Sequence, residues 1–177
     1  MSKILAFAAL LLLAPAAFAS PAPVAVTAPA PAPAPAAFTA RRLSLDVSTT
    51  SYHLRTWARD SLNQDNPGLG LEYQISTNWS IAGGFYKNSY SREAAYATAV
   101  YTPLHIGPAS GWHVAAGADL GVVSGYTSAE VPCRPLMASA IVEIRSRDGW
   151  GVNVVAVPNM GQAAGFIGLQ IVAPIRL

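Results

Sequence analysis

The sequence has one cysteine, few charges, three scattered histidines and no long apolar run beyond residue 40. Each shortage excludes something. A single cysteine, Cys133, cannot form an intramolecular disulfide, and without a local partner it reads as an inert loop thiol. Histidines at 53, 105 and 113 with one cysteine show no metal-ligand spacing, so no metal or other cofactor is expected. Eleven basic residues against nine acidic ones leave no electrostatic footprint for nucleic acid. No stretch after residue 40 is long and apolar enough for a membrane helix, and no glycine cluster forms a phosphate loop.

The N-terminal region separates from the rest by composition. Lys3 precedes an apolar core from Ile4 to Leu13, and Ala17-Phe18-Ala19 is a small-x-small site before Ser20. Residues 1–19 are therefore predicted to be a secretory signal peptide, with no cysteine near the cut to carry a lipid anchor. Residues 20–40 are almost entirely Pro, Ala and Val and read as an extended linker. The remainder, 41–177, is the size of one domain.

That remainder consists of short alternating segments cut by turn residues, the pattern of an all-β sandwich or barrel. Eight strands are predicted, at 43–57, 68–76, 79–88, 94–102, 112–123, 136–145, 150–157 and 164–177. Leu69, Leu71, Tyr73 and Ile75 share one face of the second, against Gly68, Gly70, Glu72 and Gln74. In the fifth, Trp112, Val114, Ala116, Ala118, Leu120 and Val122 oppose His113, Gly117, Asp119 and Gly121. The first strand breaks the rule: its apolar face runs through Leu43, Leu45 and Val47 and then shifts to Tyr52 and Leu54. A bulge near Thr49-Thr50 would explain the shift and re-aim His53.

A soluble barrel buries its apolar face, whereas a membrane barrel displays it. The faces opposite the apolar ones are rich in Gly and Ala with scattered charges, which suits the crowded, part-polar lumen of a small barrel. Trp79, Trp112 and Trp150 each begin an apolar face just after a turn, where an interfacial aromatic girdle sits. The fold expected is an eight-stranded antiparallel outer-membrane β-barrel with both termini in the periplasm. Connections at 76–78, 103–111 and 146–149 would face the periplasm, and those near 58–67, 89–93, 124–135 and 158–163 would face outward. His53 and Asn88-Ser89 then share the outer rim. His105 and His113 fall near the opposite end and read as structural.

Ser51-Tyr52-His53-Leu54-Arg55, Phe85-Tyr86-Lys87-Asn88-Ser89-Tyr90, Pro135-Leu136-Met137-Ala138-Ser139 and Val157-Pro158 together resemble motifs of the outer-membrane lipid A palmitoyltransferases. The likeness runs loosely over residues 48–177. It implies an enzyme that moves an acyl chain from a phospholipid to lipid A, acting as a monomer in the outer membrane. Carried over, His53 matches the family's essential histidine, Ser89 its serine, and Asn88 stands where the family has aspartate. Asn88→Asp is accordingly expected to preserve or raise activity.

Those residue types suit acyl transfer. Histidine can take a hydroxyl proton near neutral pH; serine can act as nucleophile or as an oxyanion donor. The glycines Gly70, Gly84, Gly117 and Gly121 are expected to leave room in the lumen for the acyl chain. Pro135 and Pro158, unable to donate to a strand ladder, are expected to weaken one wall where a lipid could pass. The rivals are a non-enzymatic barrel serving envelope stability or adhesion, and a lipid A deacylase, for which no His-x-Ser arrangement is present near the C-terminal strands.

Overall fold

In the computed structural model, residues 42–109 and 111–176 are described. The expected signal peptide and linker lie outside them. Eight strands run β1 (Leu43–His53), β2 (Asp65–Gln74), β3 (Trp79–Lys87), β4 (Glu93–Ala109), β5 (Trp112–Val123), β6 (Leu136–Ser146), β7 (Gly151–Val157) and β8 (Phe166–Pro174), with one short helix, α1 (Thr56–Ser61), after β1. Every strand pairs antiparallel with its sequence neighbours, and β8 closes on β1. The eight-stranded all-β barrel read from the alternation is the fold observed.

Alternation fixes what each face shows. Leu69 and Tyr73 of β2 stand opposite Phe85 and Ile81 of β3, and these side chains, with Leu71 opposite Gly83, point away from the lumen with roughly half their surface exposed. Between them Asp46, Glu72, Ser80, Thr98, Asp119, Ser139 and Asn153 turn inward and are buried. The molecule is thus inverted, with an apolar exterior and a polar core. Near the end carrying the short β2–β3 and β6–β7 connections, Ser80 donates to Glu72 and Arg145 pairs with Glu72 at 3.3 Å. Arg145 also donates to Asn153 at 2.7 Å, and Asn153 to Gln170 at 3.3 Å. These side chains bridge β2, β3, β6, β7 and β8 in one hydrogen-bonded network across this half of the lumen, while one carboxyl oxygen of Asp46 is buried without a partner among the described residues.

The first strand holds the expected irregularity. Its register shifts between Ser48 and Thr50 against both neighbours: against β8 Thr49 is the extra residue, whereas against β2 the extra residue falls on β2 itself, between Asp65 and Gly68. The Thr49 hydroxyl donates sideways to the Leu169 carbonyl at 2.9 Å. Below this bulge Asp46 and Ser48 face the lumen; above it Ser51 and His53 do. An unbroken alternation would have turned Tyr52 inward and His53 out.

Two expectations about elements are corrected. The first strand stops at His53, and residues expected to extend it form α1, which buries Ala58 completely. β4 runs through Pro103 to Ala109, a stretch expected to be a turn. Register shifts between Tyr101 and Leu104 and between Ile106 and Ala109 accommodate the prolines without ending the pairing to β5.

Candidate active site

The bulge decides the chemistry at the other end of the barrel. It turns His53, at the last position of β1, into the lumen, where only 2% of its surface stays exposed. Its Nε2 lies 3.0 Å from the Ser89 hydroxyl. The ring tilts against Phe166, at 6.1 Å between centroids. The turn beneath is fixed on both sides: Leu54 N–H donates to Gly165 at 2.8 Å, and Arg59 of α1 donates to the His53 carbonyl at 2.9 Å. His53 Nδ1 is buried and meets no hydrogen-bond partner among the described residues. For Nε2 to act as a base the ring proton must sit on Nδ1, and no carboxylate orients it there.

Ser89 follows β3 in a loop that Asn88 builds. The Asn88 side-chain oxygen accepts from the Tyr90 and Arg92 amides at 2.9 and 3.0 Å, and its amide donates to the Gly125 carbonyl at 2.8 Å. Asn88 is fully buried, and none of these bonds goes to His53. The Ser89 carbonyl accepts from Asn63 N–H at 2.8 Å, which ties the loop to the segment after α1. His53 and Ser89 therefore come together, while Asn88 positions the serine's loop. That revises the expected gain from Asn88→Asp. A carboxylate cannot donate to Gly125 and would set one oxygen against its carbonyl, at a cost of about 1–3 kcal/mol. Lower activity and a lower temperature for loss of compact electrophoretic migration are expected, with Asn88→Gln as comparison.

Ser89 opens on a cavity of about 100 Å³ inside the barrel. Phe166, Val155, Met137 and Leu169 supply apolar wall, and Tyr96, Asp119 and Gln170 lie at its polar floor. From His53 down to the Ser48–Gln170 pair is roughly five residues, or about 12 Å for a strand tilted as in small membrane barrels. None of Gly70, Gly84, Gly117 and Gly121 lines this space. A Cβ on Gly70 would lie 2.2 Å from the Tyr96 hydroxyl. On Gly84, Gly117 or Gly121 it would lie 2.3, 1.8 or 2.1 Å from a neighbouring backbone carbonyl oxygen. These glycines let strands and one tyrosine approach closely; they do not hold open the room expected of them. The glycine at the cavity is Gly168, on the lumen face of β8, where a Cβ would meet nothing closer than Phe166 at 3.4 Å. The alternation of β8 places Gly168 inward, but only the position of the bulged β1 beside it shows that the space there is open.

The two prolines stand where the wall is incomplete. The last β6–β7 pair is Ala140 with Ala156, so Leu136 to Ser139 have no β7 partner. Continuing that register would set Pro158 opposite Ala138, where it has no N–H to offer. Pro135 stays with the other neighbour, its carbonyl accepting from Val123 at 2.7 Å. Met137 and Val155, on the two sides of the gap, both line the cavity.

An aromatic group closes the lumen beside Ser89. Tyr86 and Tyr126 share a hydrogen bond of 3.0 Å, and Tyr90 meets Tyr126 edge-on. Burial, reinforced by the Tyr86 phenol, pushes the Tyr126 hydroxyl well above the usual phenol range, so it stays neutral and able to donate. Arg92 lies over the Tyr90 ring and pairs with Glu130, joining the 88–92 and 124–135 connections. Among the described residues no cluster of three or more metal-ligating side chains occurs, and Cys133 is free and exposed. A base in contact with a hydroxyl, above a mostly apolar cavity, is an arrangement able to transfer an acyl group. No protein-family model matches this chain, and no curated protein matches it.

Proposed function

We propose that this barrel is an outer-membrane acyltransferase that takes a fatty acyl chain from a phospholipid and attaches it to a lipid A hydroxyl. The observation that carries the reading is the 3.0 Å contact between His53 and Ser89 at the mouth of the lumen cavity. A membrane setting is supported by the exposed outer band of Leu, Ile, Phe and Trp residues. Trp79 stacks on Tyr101 at 4.5 Å, and with Tyr73, Trp112 and Trp150 it forms an aromatic belt at the end opposite the site.

Ser89 lines the cavity and His53 does not, so the hydroxyl stands between the imidazole and an acyl chain seated below. This order favours serine as the nucleophile. His53 Nε2 takes the Ser89 proton as Oγ attacks the phospholipid ester carbon. The tetrahedral adduct then expels the lysophospholipid oxygen, which receives the proton from His53. A lipid A hydroxyl attacks the acyl-serine, giving its proton to His53, which returns it to Ser89. The unpaired β6–β7 segment supplies a sideways route for the chain to reach the lumen. Without a facing carboxylate the imidazolium lacks one source of stabilisation, and turnover is expected to be slow relative to a full triad.

Mass spectrometry of lipid A from cells with and without the protein tests this. An added acyl mass supports transfer; a lost acyl mass means deacylation, and no change means a non-enzymatic barrel. Cavity size gives a second test. Gly168→Leu adds side chain to the cavity wall at a position whose Cβ meets no backbone atom closer than the Thr50 carbonyl oxygen at 3.9 Å, so transfer of long chains should fall roughly 5- to 150-fold relative to short ones. Overpacking of about 1–3 kcal/mol is the basis of that figure. Equal losses for all lengths would remove the acyl chain from this cavity.

A further inference from the structure

The barrel end opposite Ser89 holds a second group of chemistry-bearing side chains. His105 on β4 is paired with Ala115 on β5, which makes His113 its diagonal neighbour on the same face. His105 Nδ1 lies 3.0 Å from His113 Nε2, and the rings are inclined by 31°. On its other side His105 Nε2 lies 2.8 Å from the Asn78 side-chain oxygen, in the β2–β3 turn. That turn is tied to β4 by Thr102 N–H donating to the Asn78 carbonyl at 2.9 Å. His105 is exposed, so solvent reaches the pair.

An amide oxygen at Nε2 holds the His105 proton there and leaves Nδ1 as a lone pair directed at His113. Outer-shell acceptors fix ligating histidines in metal sites in this manner. We propose that His105 Nδ1 and His113 Nε2 form a chelating site for a divalent transition-metal cation of the copper type. Ligation needs both facing nitrogens free of protons, so binding displaces the proton between the rings and the affinity falls as pH falls.

With metal–nitrogen distances of about 2.0–2.1 Å, nitrogens 3.0 Å apart subtend roughly 95° at the metal. That is compatible with a cis pair of a tetragonal site, and the general affinity order places Cu²⁺ above Zn²⁺. In the unbound pair the two nitrogens face each other along the hydrogen bond, so each ring turns by roughly 40° to direct its lone pair at a shared ion, with water completing the shell. Arg145, directly across from His113 on β6, opposes a cation, but its guanidinium is engaged by Glu72 and Asn153. A bound ion would clip the β2–β3 turn to the β4–β5 hairpin through His105 and Asn78.

The test uses full-length, tag-free protein in detergent, titrated with Cu²⁺, Ni²⁺ and Zn²⁺ salts. Binding is followed by quenching of tryptophan emission, since Trp112 and Trp79 adjoin His113 and Asn78 in sequence. One Cu²⁺ per chain is expected, tighter than Ni²⁺ or Zn²⁺, with an electron paramagnetic resonance spectrum showing two coordinated nitrogens. His105→Ala and His113→Ala should each lose that signature, and Asn78→Ala should weaken Cu²⁺ about tenfold. A parent protein that binds Cu²⁺ no more tightly than the His105→Ala/His113→Ala variant overturns the proposal, as does a spectrum with one nitrogen or none. The spectrum is read on the parent itself, so the test stands even if a variant fails to fold.

Discussion

His53→Ala is expected to reduce acyl transfer at least about a thousandfold for every chain length while the barrel stays folded. A positioned general base contributes about 10²–10⁴, and here it would also generate the nucleophile. Ser89→Ala should cost as much, and the double variant little more, because two groups acting as one unit do not lose their contributions separately. Retained heat-modifiable migration shows that the fold survives, and lipid A mass reports the activity. Should Ser89→Ala keep most of the rate while His53→Ala loses it, acyl-serine is eliminated and His53 acts directly on the lipid A hydroxyl. Transfer by His53→Ala at the parental rate would remove the site altogether.

The second large effect is structural. Gly117→Ala should prevent the barrel from forming, because its Cβ would lie 1.8 Å from the Tyr101 carbonyl oxygen and 2.7 Å from the Thr102 Cα. Gly117 sits on β5 across from the register shift between Tyr101 and Leu104, where the backbone of β4 swings close. Neither contact is with the end of a flexible side chain, so the cost should exceed about 4 kcal/mol, the exceptional range for one substitution. Gly168→Ala is the control. Its nearest neighbour is 3.4 Å away, and it should fold like the parent. The comparison is read as heat-modifiable migration after refolding into detergent; a folded Gly117→Ala barrel would mean that β4 can move away.

The difference between these two glycines marks what was legible in the sequence. Alternation gives which residues face the lumen, and so the strand count, closure and inverted exterior could all be read from period two. It also gave away the bulge, since Val47 and Tyr52 cannot share a face without an extra residue between them. Distances across the lumen depend on how far each strand is pushed in, which no single strand encodes. Gly117 and Gly168 therefore look alike in sequence, yet one is pressed against a carbonyl and the other borders open space. The site shows the same boundary. His53 and Ser89 could be placed at one rim by counting strand directions. The use of every polar atom of Asn88 within its own loop depends on Gly125, 37 residues further on. The His105–His113 contact was hidden for another reason: prolines at 103 and 108 signalled a turn, whereas two register shifts, each with one extra residue on β4, kept the strand going.

Thr49 gives the barrel an unusual relation to heredity. Whether a strand residue faces inward is a matter of odd or even count, and one supernumerary residue reverses the count for all that follow it. The lower part of β1, with Asp46 and Ser48, is indifferent to that residue; the upper part, with Ser51 and His53, depends on it. A lineage could therefore bring His53 to Ser89 inside the barrel, or turn it away, by gaining or losing a single in-frame codon. Neither side chain of the pair would have to change.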